Sequence, residues 1–353
     1  MTSAEAAAGP FQVTVQPSGR TFSANADEAL LAAAIRQGIG MPYGCKDGAC
    51  GSCKCRKLEG EVVHRAHQSK ALSAEEEAAG YVLTCSAFAL TDVVLESRQV
   101  TDESAFPVKK MPSRVIALEK RSHDVMIVRL QLPANDTLRY HAGQYVEFIL
   151  RDGSRRSYSM ANAPHNGPGV ELHIRHMPGG KFTDHVFSAM KEKEILRVEG
   201  PYGSFFLRED SDKPMILLAS GTGFAPIKAL IEHMQHKGIS RPTTLYWGGR
   251  RPGDLYLDDW VKARCAEMGH LKYVPVISNA LPEDNWTGRT GFVHKAVMED
   301  FPDLSGHQVY ACGAPIVVDS ARAEYSELAR LPPEEFYADA FTTEADKHKD
   351  AGT

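Results

Sequence analysis

No uninterrupted apolar run in this sequence approaches the roughly 18 residues that a membrane-crossing helix needs, so no span is expected. The opening MTSAEAAAGPF, with Glu5 early in it, lacks both the basic start and the apolar core of a secretory leader, and the expected location is cytoplasmic. Positive charge is not in excess either: the net charge is -5 with both signs dispersed, whereas nucleic-acid binding favours a basic stripe. Nucleic acid is therefore not an expected partner. Internal repeats and low-complexity tracts are also missing. What remains is 43% apolar and 24% charged residues, the balance of a globular protein, in a chain of 353 residues, long enough for two or three domains.

The first hundred residues read as a hairpin around Pro17-Ser18-Gly19, a helix carrying Leu30, Leu31, Ala34 and Ile35 on one stripe and stopping at Gly38, a glycine-rich cysteine loop, and two more strands. The polar stretch SRQVTDESAFPVKKMP, with Pro107 and Pro112, reads as a linker. Runs at 114–117, 125–132 and 145–150 are rich in Val, Ile and Leu and suggest an antiparallel barrel. Beyond Asp210 the rhythm becomes strand, helix, strand, the grammar of a parallel sheet, with apolar runs at 215–219, 243–247, 273–277 and 308–311. The expected domains are 1–98, a linker at 99–112, 113–210 and 211–353.

Seven cysteines in a reducing compartment point to metal ligands or inert thiols rather than disulfides. Cys45, Cys50, Cys53 and the distant Cys85 fit C-x4-C-x2-C…C, the spacing of plant-type 2Fe-2S ferredoxins. Gly48 and Gly51 let the backbone fold closely enough for its N–H groups to approach cluster sulfurs. A zinc site would normally pair two Cys-x2-Cys knuckles, and only one is present. Cys55 and Cys265 read as plain thiols.

Arg156-Ser157-Tyr158-Ser159 carries a phosphate-pairing arginine, a ring able to stack on a flavin and a small hydroxyl for the flavin N5 edge. Gly179-Gly180-Lys181-Phe182-Thr183 opens a helix whose free amides suit a pyrophosphate. Ser220-Gly221-Thr222-Gly223-Phe224-Ala225-Pro226 follows a strand and lacks the third glycine of the dinucleotide fingerprint, so alone it says little. Cys312-Gly313-Ala314-Pro315 and the tail ending Asp339-Ala340-Phe341 complete the set.

Taken in order, these motifs resemble the ferredoxin-NADP reductase superfamily over roughly residues 11–341. They are most similar to the iron-sulfur flavoprotein reductases that serve bacterial oxygenases and CDP-6-deoxyglucoseen dehydratases. The resemblance implies a multidomain α+β and α/β protein: a β-grasp-like 2Fe-2S ferredoxin domain, an antiparallel β-barrel flavin domain and a parallel-sheet α/β nucleotide-binding domain. It implies a 2Fe-2S cluster on Cys45, Cys50, Cys53 and Cys85, FAD held by Arg156, Tyr158, Ser159, Gly180 and Thr183, and NADH held by Gly221, Thr222, Gly223, Pro226, Arg250 and Cys312. Tyr158, Ser159, Cys312 and Phe341 would border the reacting atoms. A hydride carries two electrons and a cluster accepts one, so the flavin must stand between them, and the expected activity is an NAD(P)H-dependent reductase feeding an electron-acceptor protein, an oxygenase component or the dehydratase. The alternative is a redox carrier or sensor that binds nucleotide without turnover. NADPH stays open because Arg250 and Arg251 could read a 2'-phosphate. Lys46, Lys54, Arg56 and Lys57 flank the cluster loop and could steer an acidic partner.

Overall fold

Alternation of buried and exposed residues along Phe11–Gln16 (β1) and Arg20–Ala24 (β2) produces the antiparallel hairpin, with Val13, Val15, Phe22 and Ala24 inward. Leu30–Arg36 (α1) buries Leu30, Leu31, Ala33 and Ala34, and Gly38, at φ 72°, ends it in the left-handed region. After the cysteine loop come Lys54–Glu59 (β3), Val62–His64 (β4), Ala74–Ala78 (α2), Tyr81–Leu83 (β5), Ala87–Ala89 (β6) and Val93–Glu96 (β7). The sequence predicts two strands here; the structure has five and a helix, because three of the strands are only three residues long and too short to register a period of two. The main sheet runs β2-β1-β7-β3-β5 with β1 and β7 parallel, a grasp-like arrangement. The computed structural model describes residues 9–100, 106–135, 137–167 and 169–343; residues 1–8, residues 101–105 of the expected linker and residues 344–353 of the expected third domain lie outside the described residues.

The chain divides into two units, and the second runs from Pro107 to Phe341. Its first part contains Lys109–Lys120 (β8), Val125–Gln131 (β9), Tyr145–Ile149 (β10), Arg155–Ser159 (β11), Gly169–Arg175 (β12), the helix Lys181–Ser188 (α3) and Ile195–Tyr202 (β13). These strands form one antiparallel sheet ordered β11-β10-β13-β8-β9-β12. A bridge between Met160 and Leu172 joins the two outer strands, so the sheet closes into a barrel around Val115, Val128, Leu130, Val146 and Phe148. β8 begins at Lys109, inside the stretch 99–112 whose prolines suggest a linker. Pro112 pairs with Arg197 of β13, but β9 pairs with β8 only from Arg114 onward, so the proline sits where one neighbour strand is already absent.

The second part holds Met215–Ser220 (β14), Phe224–Lys237 (α4), Thr243–Gly249 (β15), Asp258–Glu267 (α5), Leu271–Ile277 (β16), Arg289–Thr290 (β17), Val293–Asp300 (α6), Gln308–Gly313 (β18), Pro315–Glu327 (α7) and Phe336–Ala340 (β19). All pairings in this sheet are parallel, in the order β17-β16-β15-β14-β18-β19. β14 and β18 are buried almost throughout, which accounts for their continuous apolar runs. Ligands of such sheets bind beyond the carboxyl ends of the strands, and here those ends carry Gly221, Arg250 and Gly313. No helix among the described residues is long and apolar enough to cross a membrane.

Candidate functional site

Cys45, Cys50 and Cys53 lie on the loop between α1 and β3, and Cys85 on the turn between β5 and β6. The Cys45 amide donates to Cys50 Sγ and the Cys50 amide to Cys45 Sγ, each at 3.3 Å. This reciprocity requires a tight loop, and Gly48 and Gly51 supply it at φ 75° and 72°. A side chain at Gly48 would start 2.8 Å from His67 Cβ. The four thiols contact one another: Cys50 and Cys85 draw Cys45 down, Cys85 draws Cys53 down, and Cys50 and Cys85 are pushed up in return. Four converging sulfurs with backbone donors aimed at them fit an iron-sulfur cluster. The Ser52 hydroxyl is buried there without a hydrogen-bond partner. Cys55 lies on β3, and burial pushes its thiol far up, as for an inert core group.

Among the flanking cations, Lys54 pairs with Glu76 at 2.6 Å and Lys57 donates to the Gly60 carbonyl at 2.7 Å. Arg56, by contrast, is exposed on β3.

Arg156, Tyr158 and Ser159 follow one another along β11. The Tyr158 ring sits 5.5 Å from Phe182 of α3, so the strand motif and the helix that starts after Gly180 are brought together. Burial pushes the Tyr158 phenol up and keeps it neutral. Thr183 Oγ1 donates back to Met177 O at 2.9 Å, and a Cβ on Gly180 would meet that oxygen at 2.8 Å and Thr183 Oγ1 at 2.6 Å. The turn therefore needs glycine, and no side chain caps the first amides of α3, which fits the pyrophosphate of a flavin dinucleotide; Asp184 in the same turn is engaged by His176 at 2.8 Å and by the Gly179 amide at 3.1 Å.

Gly221, Thr222 and Gly223 form one short turn that runs into α4, with Pro226 in its first helical turn and no acidic residue there to oppose an anion. A Cβ on Gly223 would fall 2.2 Å from Cys312 O, so the turn lies directly on the end of β18. Cys312 is 1% exposed, and burial and the Asp339 carboxylate keep its thiol protonated. In register, Cys312 lies opposite Asp339, and Asp339 Oδ2 accepts from Ser159 Oγ at 3.3 Å. Phe341 donates its amide to Gly313 O at 2.8 Å. Ser159, Cys312, Asp339, Phe341 and the Gly221 turn thus share one neighbourhood.

Arg250 lies one strand away, exposed, its amide bound to Asp254 Oδ2 at 2.8 Å. Arg251 is different: Asp284 takes it bidentately at 2.7 and 2.6 Å. One group in this neighbourhood has no motif to mark it: Arg175 of β12, whose Nε Asp124 holds at 2.8 Å and whose Nη1 lies 3.3 Å from the place a Cβ on Gly221 would occupy.

The sequence matches three known families in succession: a 2Fe-2S iron-sulfur cluster binding domain over residues 13–90, an oxidoreductase FAD-binding domain over 112–207 and an oxidoreductase NAD-binding domain over 217–323. The chain is 39% identical to the CDP-6-deoxy-L-threo-D-glycero-4-hexulose-3-dehydrase reductase of Yersinia pestis, covering 94% of this chain and 98% of that protein. It is 33% identical to reductase component 1 of terephthalate 1,2-dioxygenase from a Comamonas species, covering 94% and 97%. Among solved structures it resembles the cytochrome P450 reductase GcoB of Amycolatopsis, with a TM-score of 0.77, 33% identity and coverage of 94% and 99%.

Proposed function

The chain belongs to the family of NAD(P)H-dependent iron-sulfur flavoprotein reductases, and we propose that it draws on NADH and delivers single electrons to an oxygenase component or a CDP-6-deoxyhexulose dehydrase. The observation that carries this reading is the meeting of Ser159 from the barrel with Cys312, Asp339 and the Gly221 turn of the parallel sheet. When bound, FAD supplies a hydride acceptor that the 2Fe-2S cluster can drain one electron at a time.

The protein's own part is to bind, orient and exclude water. Arg156 and the first amides of α3 would hold flavin phosphates, and Tyr158, set against Phe182, would meet the ring system. Ser159, its hydroxyl donating to Asp339, would present its oxygen at the flavin edge. Cys312, kept a neutral thiol, would give the nicotinamide a small, uncharged neighbour, and Phe341, held by its amide on Gly313, would border the flavin. The amides of Gly221–Gly223 and Pro226's helical turn receive the pyrophosphate, with Arg175 as the cation beside it. Arg251 is occupied by Asp284, so Arg250 is the arginine of the pair left to meet the adenosine end; the choice of NADH over NADPH rests on the resemblance to the reductases. Cys45, Cys50, Cys53 and Cys85 hold the cluster, and the exposed Arg56 marks the face toward an acidic partner.

The test is direct. Purified protein should show flavin and iron-sulfur absorbance, bleach on NADH addition and then reduce cytochrome c. Absorbance that NADH leaves unbleached would favour a carrier or sensor instead.

A further inference from the structure

Hydride transfer from a nicotinamide carbon to a flavin nitrogen needs the two atoms held to within about 0.5 Å of a productive geometry. Here the two cofactor sites lie on different sheets of one unit, the barrel and the parallel sheet. Apolar contacts between sheets are non-directional, whereas a satisfied buried polar network has a single register.

Such a network centres on Lys228, in α4, two residues after Pro226. Its Nζ donates to Ala161 O at 3.1 Å, two residues after Ser159, and pairs with Glu232 at 2.6 Å and Glu171 of β12 at 3.1 Å. Its side chain is 8% exposed. Glu232 in turn accepts from the Ala163 amide at 2.9 Å and from Asn166 at 2.6 Å. Burial would raise the Glu171 carboxyl, but His173 and Lys228 hold it well below its usual range. His173, fully buried and kept neutral by burial, joins Glu171 at 3.1 Å to the Tyr256 hydroxyl at 2.9 Å. Tyr256 packs edge-on against Trp247, whose Nε1 donates to Gly221 O at 3.0 Å. The chain of contacts thus begins beside the flavin-edge Ser159 and ends on the nucleotide turn.

Resting on the reductase reading above, we propose that Lys228, with Glu171, His173 and Tyr256, is a positioning lock that sets the nucleotide turn relative to the flavin edge. A surface lysine at this place would contribute little. Buried among two carboxylates and a carbonyl, it fixes orientation, because any sliding of α4 along the barrel would strand a charge. None of the four residues need touch either cofactor.

The test uses the holoenzyme and two variants, Lys228→Met and the isosteric Tyr256→Phe. Stopped-flow flavin reduction at saturating NADH should slow by about 100-fold in Lys228→Met, the effect of roughly 1 Å of misplacement. In Tyr256→Phe, which loses one hydrogen bond, it should slow by about tenfold. The NAD+ dissociation constant should hold, the deuterium isotope effect from 4-deuterated NADH should rise, and the long-wavelength nicotinamide–flavin absorbance should weaken. Hydrogen exchange should quicken at residues 161–163 while β14 stays protected. Parent-like reduction rates in folded, flavin-loaded variants would overturn the lock, as would slower reduction explained wholly by weaker NAD+ binding. If Lys228→Met fails to fold, because Glu171 and Glu232 lose the buried cation between them, Tyr256→Phe decides alone. A parent that NADH does not bleach would defeat the reductase reading, a different outcome from a reducible parent with parent-like variants.

Discussion

Replacing Gly223 by alanine adds a single methyl group at the most crowded glycine of the nucleotide turn. The new Cβ would lie 2.2 Å from Cys312 O, 2.5 Å from Cys312 C and 2.6 Å from Gly313 Cα, all backbone atoms that cannot rotate aside. Ordinary contact between such atoms starts near 3.4 Å, so the turn must lift from β18 by about 1 Å. Overpacking of this kind costs about 1–3 kcal/mol of stability, and about 1 Å of misplacement costs about 100-fold in rate. The expected result is a folded protein with full iron and flavin content whose reduction by NADH is about 100-fold slower and whose hold on NAD+ is weaker. Gly253→Ala is the matched control, since a Cβ there meets nothing within 4 Å. Stopped-flow reduction and an NAD+ titration read both variants. Parent-like kinetics in Gly223→Ala would refute the assignment of this turn to the nicotinamide nucleotide.

Other expectations follow from the same geometry. Cys50→Ser should lose iron and cytochrome c reduction but keep flavin and NADH reduction of a two-electron dye; unchanged iron content would remove Cys50 from the ligand set. Arg250→Ala should leave a preference for NADH intact in kcat/KM measurements; a parent preference for NADPH, abolished by this change, would show the arginine reading a 2'-phosphate. Charge reversal at Arg56 should slow reduction of the natural acceptor and flatten its salt dependence more than reversal at Lys54, which Glu76 already neutralises. Because burial raises the Cys55 and Cys312 thiols, iodoacetamide at pH 8.5 should spare both in the native protein, and mass spectrometry of labelled peptides checks it.

Much of the site was legible because its chemistry is local. A cluster loop, a phosphate turn and a nucleotide turn each need particular residues within a few positions, so spacing exposes Cys45 to Cys53, while Gly180 to Thr183 and Gly221 to Pro226 become readable once the family resemblance sets them in order. Contacts made across the fold carry no such mark. Ser159 and Asp339 each sit in a motif, but nothing local pairs them across 180 residues, and Arg175 ends an ordinary barrel strand. Lys228 looks like any helix lysine four before a glutamate, and only the approach of Glu171 and Ala161 makes it a buried charge. Arg250 and Arg251 are chemically alike and adjacent, yet Asp284 engages just one of them. The short strands β4, β5 and β6 escaped for a related reason: pairing partners, not their own pattern, make them strands.

Trp247 gives the nucleotide turn an optical voice. Its indole is shielded from solvent, stacked on Phe224 at 4.0 Å and tethered to the Gly221 carbonyl. The chain's other two tryptophans, Trp260 and Trp286, are only partly buried. With both replaced by phenylalanine, the remaining emission would come from a residue hydrogen-bonded to the turn itself. Reduced nicotinamide absorbs where tryptophan emits and the oxidised form does not, so quenching of that single emitter would follow occupancy and redox state of the nucleotide together, with no dye attached.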